Sequence, residues 1–94
     1  MIYSSISIVK DEQIELLTFP NEDVLSSIKE QVERSLNLKR IMRMANLGDT
    51  TSTVLFIDDQ GIKQIESSLS KVTDTELILD SCVTIPLNRI LHVS

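Results

Sequence analysis

The sequence predicts an α+β fold: an N-terminal strand or hairpin, one amphipathic helix, and a mainly antiparallel bent sheet or small barrel. Three observations lead to it. Apolar residues between positions 24 and 36 recur at three- and four-residue steps, whereas most of the remaining chain offers short β-branched runs bounded by turn residues. The last three such runs, between residues 73 and 93, follow one another with no helix between them, so they form an antiparallel meander. With 94 residues and 41% hydrophobic side chains, the chain can bury one core and has no length for a second, which predicts a single domain over 1–94.

Residues 2 to 9 alternate Ile2, Ser4, Ile6 and Ile8 against Tyr3, Ser5, Ser7 and Val9, a strand pattern with one apolar face. Lys10-Asp11-Glu12 supplies the turn. From Gln13 to Phe19 the apolar residues suit a returning strand, with a short helical turn as the alternative, and Pro20 closes the segment by pushing Phe19 out of the α region. Asn21 reads as an N-cap, followed by Glu22 and Asp23 where the helix dipole favours negative charge. The helix should run from 21 to 37 and turn Val24, Leu25, Ile28, Val32 and Leu36 toward the core. Residues 38 to 44 could continue the helix or alternate as a strand, and the strand is preferred because a turn at Asn46-Leu47-Gly48-Asp49 would pair it with the β-prone run 50 to 57.

Asp58-Asp59-Gln60-Gly61 makes the next turn, with Gly61 supplying a positive φ. The stretch 62 to 72 reads as one long, bent strand. Helical spacing of Ile62, Ile65, Leu69 and Val72 competes, but Ser67, Ser68 and Ser70 disfavour a helix. Leu77-Ile78-Leu79 and Val83-Thr84-Ile85 then form a hairpin across Asp80-Ser81-Cys82, and Pro86 ends the second strand or leaves it on an edge. The chain resumes from Arg89 to Val93, with Ile90 and His92 on one side and Leu91 and Val93 on the other.

Composition narrows function. Aromatic residues make up 3%, namely Tyr3, Phe19 and Phe56, too few to fill a core and also form a base-stacking platform. A net charge of -5 argues against non-specific nucleic-acid binding, which draws its affinity from cations meeting phosphates. One cysteine excludes an internal disulfide and fits a reducing cytoplasm, and neither a leader pattern nor a run of about 18 apolar residues suggests a membrane.

Residues able to do chemistry are scattered. Asp58-Asp59 reads as a turn rather than a cation site, because neighbouring strand side chains point apart. His92, the only histidine, and Cys82, a loop thiol, sit in no nucleophile-elbow, phosphate-loop or zinc-ligand spacing. No catalytic residue, metal or cofactor is therefore assigned. The one basic concentration is Lys39, Arg40 and Arg43, with Arg34 and Arg89 as candidate additions, and Lys39, Arg40, Arg43 and Arg89 are the binding candidates.

The stretch 72 to 93, VTDTELILDSCVTIPLNRILHV, with its strand, short loop and Ile85-Pro86-Leu87, Arg89-Ile90 and Val93 ending, resembles the Sm-like and SH3-like small β-barrel domains found in bacterial proteins. That resemblance implies a bent barrel and, for the Sm-like members, a base pocket and a ring-forming edge. Short strands leave edges, so the sequence predicts a non-enzymatic interaction module that associates through a sheet edge, as a homo-oligomer or with another protein. The alternative is a small-barrel nucleic-acid binder using Lys39, Arg40 and Arg43.

Overall fold

The computed structural model describes residues 5–45 and 51–94, which form one long helix and seven strands in two mainly antiparallel sheets. Strand β1 (Ile6–Ile8) leads into a four-residue helix α1 (Asp11–Ile14). After an irregular stretch comes helix α2 (Ile28–Ala45), then strands β2 (Ser52–Ile57), β3 (Ile62–Ser67), β4 (Leu69–Val72), β5 (Glu76–Leu79), β6 (Thr84–Pro86) and β7 (Ile90–Val93). One sheet has the order β1-β3-β2-β7 and the other β4-β5-β6. Among the described strands only β1 and β3 run parallel to each other.

The expected bent strand over 62–72 is present as β3 and β4, broken at Ser68 alone. Because β3 belongs to one sheet and β4 to the other, this strand carries the chain round the corner between them. Two side-chain hydrogen bonds and one backbone bond hold the corner. Ser67 Oγ donates to Asp11 Oδ2 at 3.1 Å, Ser81 Oγ donates to the same oxygen, and the Asp80 N–H donates to the Ser68 carbonyl at 2.9 Å. Asp11, at the start of α1, thereby ties the bend to the β5–β6 turn.

The turn between β2 and β3 also follows expectation. Gly61 has φ 147, and Asp58 Oδ1 accepts the N–H groups of Gln60 and Gly61, each at 3.0 Å. Asp58 is thus a turn former. In the β5–β6 loop Cys82, not a glycine, takes the left-handed conformation, with φ 71 and its N–H donating to the Leu79 carbonyl at 2.8 Å.

Four expectations are corrected. First, residues 13–19 contain no strand: Gln13 belongs to α1 and accepts the Lys10 N–H through its side chain at 2.8 Å, which fixes a helical turn in place of a return strand. Second, the long helix begins at Ile28, not at 21. Its cap is Ser27, whose Oγ accepts the Glu30 N–H at 3.0 Å and donates to Glu30 Oε1 at 3.1 Å. Asp23 is withdrawn from any capping role by Arg34, which grips both its carboxylate oxygens. Third, 38–44 is helix, and its pairing with β2 is replaced by the β2–β3 hairpin, Val54 opposite Ile65 and Ile57 opposite Ile62. The expected turn at 46–49 lies outside the described residues. Fourth, the last strand leaves the meander. A 3-10 turn at Leu87–Arg89 redirects the chain to the other sheet, where β7 pairs with β2.

A register shift on β7 also reverses one face. Leu55 pairs with His92 but Phe56 pairs with Ile90, so Leu91 bulges out and both Ile90 and Val93 enter the core. That core is a single cluster: Val54, Phe56, Ile65, Ile90 and Val93 from the larger sheet, Leu69, Leu77, Leu79 and Ile85 from the smaller, with Val9, Ile14, Val83, Leu38 and Met42 closing it. Helix α2 covers it through Leu38 and Met42, four residues apart on one face, and the expected core stripe Ile28, Val32 and Leu36 faces solvent instead.

Candidate interaction surfaces

Sheet edges are where a small β fold meets partners, because their outward N–H and C=O groups are unpaired. The two edges of the larger sheet are treated differently. At β7, side chains of α2 take the outward carbonyls: Asn37 Nδ2 donates to Val93 O at 2.7 Å and Arg34 Nη1 donates to Ile90 O at 3.1 Å. That edge is closed by the helix.

At the other end, β1 pairs with β3 alone among the described residues. The Val9 N–H donates to Gln64 O at 2.9 Å, and in a parallel ladder alternate residues face the partner. Ser7 and Val9 therefore bond inward, and the N–H and C=O groups of Ile6 and Ile8 point away from the sheet. Both isoleucine side chains are exposed, Ile8 at 77%. In the smaller sheet β6 is short and ends in Pro86, which has no N–H to offer, while β4 packs beside α2.

Arg34 is the centre of a second, structural cluster. Its Nη1 and Nη2 donate to Asp23 Oδ1 and Oδ2 at 2.9 and 2.7 Å, a bidentate pair that staples the stretch before α2 to the helix. The hydrogen bond from Arg34 holds the Asp23 carboxyl below the usual carboxylate range, assisted by the Leu25 N–H and the nearby positive charges of Arg34 and Arg89 and opposed by partial burial. A carboxylate with a lowered folded pKa stabilises the fold fully above the ordinary range, about pH 4, and loses that contribution as pH falls through the lowered value. Asp23→Asn should cost about 2 kcal/mol at neutral pH, because Arg34 is left nearly buried without its counter-ion. In urea denaturation the gap between wild type and Asp23→Asn stays constant above about pH 5 and closes toward pH 2; a gap that persists at low pH would remove the ion pair as its cause.

Of the four binding candidates, Lys39, Arg40 and Arg43 are exposed on the C-terminal half of α2, where Arg40 Nη2 also donates to Asn37 Oδ1 at 2.6 Å. Arg89 is placed differently. It is 7% exposed, with Nε donating to Ile57 O at 2.9 Å and Nη1 to Glu22 O at 2.8 Å, so its guanidinium is spent on the protein's own carbonyls. Cys82 is exposed in the β5–β6 loop, His92 is exposed on β7, and Asp58 is buried with Lys63 Nζ at 3.2 Å from Oδ1. These three occupy separate parts of the fold.

A cleft of about 240 Å³ runs between α2 and β7, bordered by Glu30, Glu33, Arg34, Asn37 and His92. No group of three or more His, Cys, Asp or Glu side chains able to hold a metal occurs among the described residues, and none of the described helices is long and apolar enough to cross a membrane. Neither a protein-family model, nor a curated protein, nor a solved structure matches the chain.

Sequence reasoning passed over two features. Ser27-Ile28-Lys29-Glu30 has the S-x-x-E capping pattern that locates the true helix start. The exposed edge at Ile6 and Ile8 had no sequence signal of its own, since alternating isoleucines suit a buried face equally well.

Proposed function

We propose that this protein is a non-enzymatic interaction module that associates through the outer edge of β1, most simply with a second copy of itself. The observation that carries this reading is the contrast between the two edges of the larger sheet. The β7 edge has its carbonyls taken by Arg34 and Asn37, whereas β1 presents the backbone of Ile6 and Ile8 and two exposed isoleucine side chains. Two β1 strands meeting antiparallel about a two-fold axis would join two four-stranded sheets into one and cover those side chains. The strand bent at Ser68 and shared between two sheets supports the likeness to Sm-like and SH3-like small barrels, and for the Sm-like members that likeness implies an assembling edge. A reducing cytoplasm suits the lone exposed thiol of Cys82.

Light scattering at high protein concentration tests this. Wild type should have twice the mass of the chain at both low and high salt, since backbone pairing and apolar contact are little screened. Ile8→Lys, which places a charge on the strand edge without touching the core, should give a folded monomer. A wild-type monomer, or a dimer unaffected by Ile8→Lys, would refute the proposed interface.

Nucleic-acid binding is the second reading, favoured by the side-by-side exposure of Lys39, Arg40 and Arg43. It requires affinity for an oligonucleotide that falls steeply with salt and is weakened by Arg40→Glu.

A further inference from the structure

We infer that the solvent face of α2 is a docking site for an acidic amphipathic helix of another protein. This surface is separate from the β1 edge, and the inference does not depend on self-association. Ile28, Val32 and Leu36 succeed one another at four-residue steps and are 77%, 50% and 61% exposed. Leu36, Lys39 and Arg43 continue the same line at steps of three and four, and Arg40 flanks it. Half of the face is therefore apolar and the other half cationic. A stable helix does not need this apolar stripe, because α2 already covers the core through Leu38 and Met42 on a different face.

Charge selects the occupant. The exposed cations of α2 are Lys29, Lys39, Arg40 and Arg43. Its exposed carboxylates, Glu30 and Glu33, border the cleft on the β7 side, and Glu30 is further engaged by Ser27. Two copies of this face brought together would oppose like charges when parallel and set cations against the apolar half when antiparallel, and either costs affinity. A nucleic acid would satisfy the cations and leave Ile28 and Val32 uncovered. A lipid surface asks for an unbroken apolar stripe with cations only beside it, whereas Lys39 and Arg43 interrupt the line itself. A helix with apolar residues at matching four-residue steps and carboxylates beyond them satisfies both halves at once, in the helix-on-helix mode of recognition.

The test is fluorescence anisotropy with a labelled peptide of the length of α2, 18 residues, made of leucine, alanine and glutamate. Its leucines stand at four-residue steps in one half, and its glutamates occupy the same face in the other. Saturable binding is expected, with about a tenfold loss for Leu36→Ser and again for Arg43→Glu. Ile8→Lys should leave it unchanged, which separates this surface from the β1 edge. Circular dichroism checks that each variant keeps the wild-type fold. Absence of saturable binding, or equal binding of a peptide with lysine in place of every glutamate, would overturn the inference. So would tighter binding of single-stranded RNA, or of phosphatidylserine vesicles, that is unaffected by Leu36→Ser.

Discussion

Ile85→Asp unfolds the protein. Ile85 is 0% exposed in the centre of β6, opposite Leu77 of β5, and its side chain lies in the core cluster. A carboxylate there has no partner, and the cost of burying it, above about 5 kcal/mol, equals or exceeds the stability of many small domains. Far-ultraviolet circular dichroism at 25 °C should show loss of the sheet signal and no cooperative melt. Ile85→Val, which removes one methylene, should lower stability by only about 1 kcal/mol and serves as the graded control. A cooperative melt of Ile85→Asp near the wild-type temperature would place this side chain in solvent and contradict the packing of the smaller sheet.

Arg89→Met has the next largest effect. Arg89 leaves the 3-10 turn that carries the chain from one sheet to the other, and its guanidinium joins the Ile57 carbonyl at the end of β2 to the Glu22 carbonyl before α2. Methionine fills much of the volume and donates nothing, so two carbonyls lose their partners at about 1 to 3 kcal/mol each. A loss of about 3 kcal/mol should appear as a lower urea midpoint with unchanged slope. Arg89→Lys should fall between the two, because one ammonium cannot reproduce the fork that reaches both carbonyls. If Arg89→Met stays within about 0.5 kcal/mol of wild type, the two bonds do not hold the junction.

Much of the β architecture was legible because local chemistry and tertiary demand agreed. Gly61 and Asp58 make the β2–β3 turn, Pro86 ends β6, and Ser67, Ser68 and Ser70 disfavour a helix over 62–72, leaving a bent strand whose break the structure places at Ser68. The helix was misplaced because the sequence holds two apolar lines in succession, Ile28-Val32-Leu36 and Leu38-Met42. Periodicity shows that a helix has an apolar face, but it cannot say which line meets the sheets. Asp23 misled in the same way: an acidic residue after Asn21 looks like a first turn, and only the fold brings Arg34 to it.

The binding candidates divided on a similar principle. Lys39, Arg40 and Arg43 share a helix face by virtue of their spacing alone, so a sequence can group them. Arg89 is joined to Glu22 and Ile57 by contacts 67 and 32 residues away in the chain, which no local pattern encodes. The edge of β1 is a property of topology. It exists because β3 is flanked by β2 on one side and only three residues of β1 on the other.

Amide hydrogen exchange at Ile6 and Ile8, followed by NMR over about a hundredfold range of protein concentration, tests the edge-pairing claim most directly. Both N–H groups point away from β3 and have no partner among the described residues. Edge pairing predicts fast exchange in dilute protein and marked slowing as concentration rises, with Ile8→Lys fast at position 6 throughout. Exchange at Ile6 and Ile8 that is equally fast at every concentration would contradict it.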